Sequence, residues 1–91
     1  MLLKPVSDGS VVGTGTLKFE SSILGGVLIT ANGTNDTTVS MKTTNSSGSK
    51  VFEIVTKSPI FVAGPINLGV QVGYYSVSGV GSGCQFYEWV E

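Results

Sequence analysis

The sequence predicts a small all-β domain, and three observations carry the prediction. Apolar and polar residues alternate with period two in short runs, the mark of strands with one buried face. The runs recur about every ten residues, with clusters of Gly, Asn, Ser and Pro as turns between them. No stretch of ten or more residues follows a helical period. The pattern is that of a β-sandwich or a small barrel. The 91 residues make one domain, with no repeat and no linker.

Residues 1–10 are expected to form an N-terminal arm and residues 11–91 the domain. Pro5 fixes its own φ and biases Lys4 to extended geometry. Leu2, Leu3 and Val6 are apolar and suited to lie on a neighbouring molecule. Asp8-Gly9-Ser10 reads as a turn. The alternative for the arm is a frayed terminus or a first edge strand. Thr16 to Glu20 alternates, with Leu17 and Phe19 set against Lys18 and Glu20. Ser21 to Gly25 reads as a bend with Ile23 and Leu24 covered. Gly26 to Ala31 is a strand with Val27, Ile29 and Ala31 on one face. Asn32 to Asp36 is a turn cluster opened by Asn-Gly. Thr37 to Thr43 follows, with Val39 and Met41 against Thr38, Ser40 and Lys42.

A polar turn over Asn45 to Ser49 leads to a strand over Lys50 to Lys57. Phe52 and Ile54 are its core positions, since Glu53 should stay wet. Pro59 offers no N–H and is expected to stop regular pairing. Ile60 to Ala63 is then a short apolar run closed by Gly64-Pro65. Ile66, Leu68, Val70 and Val72 alternate with Asn67, Gly69 and Gln71, which predicts a strand. After Gly73, Tyr75 and Val77 face the core and Tyr74 faces out. The glycines of Gly79 to Gly83 make a tight connection. Cys84 to Val90 returns, with Cys84 and Phe86 on one side and Gln85, Tyr87 and Trp89 on the other. These last two runs are expected to pair as a hairpin. Tyr74, Tyr87 and Trp89 would then form an aromatic platform across it. Core or intersubunit packing is the weightier reading of that set, and stacking on a sugar ring the lesser one.

Composition narrows the chemistry. A chain this short has a thin core, and such scaffolds are often completed by disulfides, metals or association. Cys84 is the only cysteine, so an internal disulfide is ruled out and the thiol reads as a small buried hydrophobe. There is no histidine, which removes the Ser-His-Asp triad, and a structural zinc site lacks ligands. Glu88, Glu91, Asp36 and Glu53 read as solvated surface acids. The Gly79-x-Gly81-x-Gly83 run precedes a strand rather than a helix, so it is a turn and not a phosphate loop. No catalytic, cofactor-binding or metal-binding residue is predicted, and the chain is not expected to be an enzyme. Five scattered lysines and no arginine argue against nucleic acid. Apolar runs are too short for a membrane span or a signal peptide. The Asn-x-Ser/Thr triplets at Asn32, Asn35 and Asn45 are expected by chance in so Ser- and Thr-rich a chain.

The succession GVLITA, DTTVSMKTTNSSGSKVFEI and INLGVQVGYYSVSGVGSGCQFYEW resembles small β-rich virion proteins of tailed bacteriophages. It covers roughly Gly25 to Val90 and is a pattern of strands and glycines, with no catalytic motif. Cys84, where small residues are usual, and the Pro59–Pro65 segment depart from it. The resemblance implies an antiparallel, jelly-roll-like β-sandwich of about seven or eight short strands. It implies a structural role, most directly as a minor capsid protein: a decoration or cement protein that stabilises the head shell, or the base of a head fibre. The partners would be the major capsid protein or other virion proteins, with self-association into a homo-oligomer, a trimer among the options. The place of action would be the virion surface after synthesis in the host cytoplasm. A tail, neck or baseplate accessory is the second reading, and a carbohydrate-binding module for host attachment the third. Leu2, Leu3, Val6, Tyr74, Tyr87 and Trp89 are the protein-contact candidates.

Overall fold

The computed structural model describes residues 2–6 and 9–91; Met1 and Asp8, to which the expected arm and its turn extend, lie outside the described residues. Among the described residues eight strands follow one another: β1 (Leu2–Pro5), β2 (Gly13–Lys18), β3 (Ile23–Thr30), β4 (Thr37–Thr43), β5 (Lys50–Thr56), β6 (Ile60–Asn67), β7 (Val72–Ser78) and β8 (Gly83–Val90). They form two antiparallel four-stranded sheets, one in the order β1-β8-β3-β6 and the other β2-β7-β4-β5. The pairs β1 with β8, β2 with β7, β3 with β6 and β4 with β5 describe one long antiparallel double strand. That double strand is rolled, so that β8 also pairs with β3 and β7 with β4. This is the jelly-roll order, and the fold is a small jelly-roll sandwich. Among the described residues no helix is long and apolar enough to cross a membrane.

The alternation of the sequence decides which residues meet between the sheets. Leu24, Val27 and Ile29 of β3 and Cys84 and Phe86 of β8 are fully buried, and so are Val39 and Met41 of β4. Leu17, Phe52, Ile54 and Tyr75 close the edges of this core. Tyr75 of one sheet stands against Phe86 of the other, with ring centroids 5.9 Å apart. Leu2–Pro5 takes the edge-strand alternative, pairing from Leu2↔Val90 to Pro5↔Tyr87.

Three expectations are corrected. The last two runs are not a hairpin: β7 and β8 lie in opposite sheets. β7 already has β2 and β4 on its flanks, and β8 has β1 and β3, so neither has a free edge for the other. The connection is an arch, turned at Gly79 and Gly81, whose φ values of 128° and 70° suit glycine. The strand expected through residues 66–72 is broken. Asn67 Oδ1 accepts a hydrogen bond from Gly69 N–H, and Gly69 has φ 74°, which makes a turn of residues 68–71. Pairing does stop at Pro59, which lies unpaired between the end of β5 at Thr56 and the start of β6 at Ile60, but it does not stop at Gly64-Pro65, because β6 runs on to Asn67. It is an edge strand, and Gly64 and Pro65 fall at the register shift opposite Gly25. An edge or an irregular step is where a sheet tolerates a residue without N–H.

Candidate protein-contact face

Partners across a ladder share a face. Val27 and Ile29 point into the core, so Leu28 is on the outer side, together with its partners Phe61 and Gln85, the last only 8% exposed. Phe86 points in, so Tyr87 points out, and Tyr87 is level with Gly26 on one side and Pro5 on the other. Trp89 is level with Leu3, and Gly26 with Ala63. The outer face of the β1-β8-β3-β6 sheet is therefore built from Leu3, Pro5, Trp89, Tyr87, Gln85, Gly26, Leu28, Phe61 and Ala63. None of these residues carries a charge.

The opposite outer face is of another kind. On β4, Thr38 is level with Ser78 and Val55, Ser40 with Ser76 and Glu53, and Lys42 with Tyr74. β2 contributes Thr14 and Thr16 beside Ser76 and Tyr74. Hydroxyls, lysine and glutamate make this the ordinary wet side of a sandwich. An antiparallel sheet normally has one such side, and the β1-β8-β3-β6 sheet lacks it.

Two glycines flatten the apolar face. A Cβ on Gly26 would lie 2.3 Å from Phe61 Cζ, so the Phe61 ring rests on the Gly26 backbone. The ring also meets Tyr87 edge to face, with centroids 6.1 Å apart and planes at 67°. A Cβ on Gly25 would lie 2.5 Å from Leu3 Cδ1 and 3.1 Å from Trp89 Cδ1. The large side chains lie down over bare backbone, yet Leu3, Leu28 and Phe61 stay 41%, 41% and 47% exposed.

At one end of this sheet an open cavity of about 500 Å³ is lined by Lys4, Glu20, Ser21, Trp89 and Glu91. Lys4 donates to the Glu20 carboxylate, and that bond holds its ammonium above the ordinary lysine range. Behind the cavity wall lies Glu88, only 2% exposed. Its Oε1 accepts the Ser21 N–H at 2.9 Å and faces Ser21 Oγ at 3.4 Å. Glu88 is thus not the solvated acid expected; it fastens the bend at residues 20–22 to β8.

The predicted contact residues are divided. Leu3, Tyr87 and Trp89 share the uncharged face, and Leu2 is exposed at its margin on β1. Val6 is half-buried and packs on the core, its N–H bonded to the Phe86 carbonyl. Tyr74 lies on the opposite sheet, so the expected platform of Tyr74 with Tyr87 and Trp89 does not form; the arch between β7 and β8 separates them. Leu28, Phe61 and the Gly25-Gly26 bed were not singled out by the sequence reading. Their signal was present: Ile60-Phe61-Val62-Ala63 and Gly26-Val27-Leu28-Ile29 do not alternate, and unbroken apolar runs mark strands covered on both faces. Cys84 lies in the core, where burial pushes its thiol up to about 12.

Comparison with protein families, with curated proteins and with solved structures returns no match for this chain.

Proposed function

We propose that this chain is a structural protein of a bacteriophage particle, a capsid decoration or cement block that acts through protein contacts and performs no chemistry of its own. The observation that carries the reading is the uncharged aromatic face of the β1-β8-β3-β6 sheet. Contiguous apolar surface on a small domain marks a site of protein contact, and interface centres are enriched in aromatics and depleted of charge. The jelly roll supports the virion setting by analogy, since this architecture recurs in capsid domains and also in lectins. Contacts repeated over a shell are collectively strong even when each is weak. The test is addition of the purified protein to phage heads that lack it. Saturable binding at a fixed copy number, with a raised melting temperature of the shell, is expected. Absence of binding to heads together with low-copy binding to tails would move the protein to the accessory role.

One observation favours a second reading: the Trp89 side chain borders an open cavity that also holds Lys4, Glu20 and Ser21, an aromatic ring beside polar groups as in sugar-binding sites. A glycan array decides it, with binding that Trp89→Ala abolishes as the supporting result and a blank array as the refuting one.

A further inference from the structure

We infer that the occupant of the uncharged face is a second copy of this chain, packed sheet to sheet as a two-fold dimer. The inference rests on reading this face as a protein-contact surface, and it stands apart from where in a particle the protein acts. Charge is the first argument. A foreign partner is commonly selected by complementary charge, and this face offers none to be matched. Two copies of the same face meet with no like charges opposed and no ion stripped of water, which removes the main cost of self-apposition. The five lysines and six acids give each copy a formal net charge of only −1, so repulsion between copies is small.

Area is the second argument. The molecule measures 37 × 29 × 20 Å. The outline of a face that includes the long axis is therefore at most roughly 700–1,100 Å², room enough for the about 800 Å² per partner of a stable interface. Shape is the third. Phe61 lies on Gly26, and Leu3 and Trp89 on Gly25, so the large side chains lie along the sheet, and the open cavity sits only at its Trp89 end. Flat sheets pack face to face about 10 Å apart, as the two sheets inside the sandwich do. A two-fold contact also requires one patch that fits itself, and an uncharged aromatic face meets that requirement.

The test is sedimentation equilibrium or light scattering over a concentration series, on the wild type and two variants. Leu28→Arg puts a charge on an inner strand of the face, level with Phe61, on a side chain already 41% exposed, and Thr16→Arg puts the same charge on the opposite sheet. Circular dichroism checks that both fold. The wild type and Thr16→Arg are expected at twice the 9.4 kDa chain mass, and Leu28→Arg as a monomer, with the dimer dissociation constant raised at least a hundredfold. A wild type that stays monomeric to about 100 μM, a concentration at which even a weak 10 μM dimer would be mostly formed, overturns the inference. So does a dimer that Leu28→Arg leaves intact. A monomer that binds phage heads through Leu28 would overturn it while sparing the proposed function. A Leu28-dependent dimer that ignores every particle would do the reverse.

Discussion

Replacing Glu88 by alanine tests the internal architecture most sharply. The carboxylate is nearly sealed from solvent and accepts the Ser21 N–H at 2.9 Å. A hydrogen bond to a charged group is worth about 1.5–3 kcal/mol, and its loss also leaves the Ser21 N–H without its partner. Removing the side chain empties space beside Leu24, the residue level with it on β3, so the total should reach about 2–4 kcal/mol. A domain of this length has roughly 5–14 kcal/mol of stability in all. At about 4–8 °C per kcal/mol for such a size, Tm should fall by roughly 8–32 °C. Glu88→Gln keeps an acceptor oxygen for the N–H and should lose about half as much. Thermal unfolding followed by circular dichroism measures both. If Glu88→Ala melts within about 3 °C of the wild type, a shift worth less than 1 kcal/mol, the carboxylate does not fasten the bend, and the reasoning from its burial fails.

Further predictions use the same structure. Gly64→Ala and Gly26→Ala both place a Cβ 2.3 Å from a neighbour, but the neighbours differ: the Leu24 carbonyl oxygen in the first and the tip of the Phe61 ring in the second. Backbone cannot step aside, so Gly64→Ala should cost about 1–3 kcal/mol in urea unfolding, whereas Gly26→Ala should lose mainly the Phe61–Tyr87 ring contact, about 0.5–1.5 kcal/mol, and should weaken self-association by tilting Phe61 off the sheet. Cys84 should resist an aromatic disulfide reagent at pH 8 in the native protein and react at once when unfolded, because only the exposed thiol ionises readily. The native thiol keeps its proton up to about 12 while the unfolded one releases it near 9.0. Native protein thus holds more protons in that window, and stability should decline as pH rises from 9.0 towards 12; Cys84→Ala should lack that component of the decline.

The inward residues were legible because period two is a local property. Val27, Ile29, Val39, Met41, Phe86 and Cys84 could each be placed by counting from a neighbour. The all-β class followed from the same counting, which left sandwich and small barrel open. Glu88 was also legible in principle, since it shares the parity of Cys84 and Phe86; the expectation that acids stay wet overrode it. The pairing of strands was not legible. A glycine turn such as Gly79 to Ser82 serves a hairpin or an arch equally well, and the choice depends on which distant strands compete for each edge. Tyr74 was misjoined to Tyr87 and Trp89 for that reason. The candidate face needed the register itself, because Leu3, Tyr87, Leu28 and Phe61 come from four strands spread over nearly the whole chain.

The side of the sandwich that meets protein is the feature to measure. Hydroxyl-radical footprinting reads this directly, by comparing the dilute chain with its assembled state. Oxidation of Leu28, Phe61 and Tyr87 is expected to fall on assembly while Tyr74, on the other sheet, stays as reactive as before. Protection of Tyr74 with Leu28, Phe61 and Tyr87 unchanged would place the contact on the hydroxyl-rich side and contradict the account.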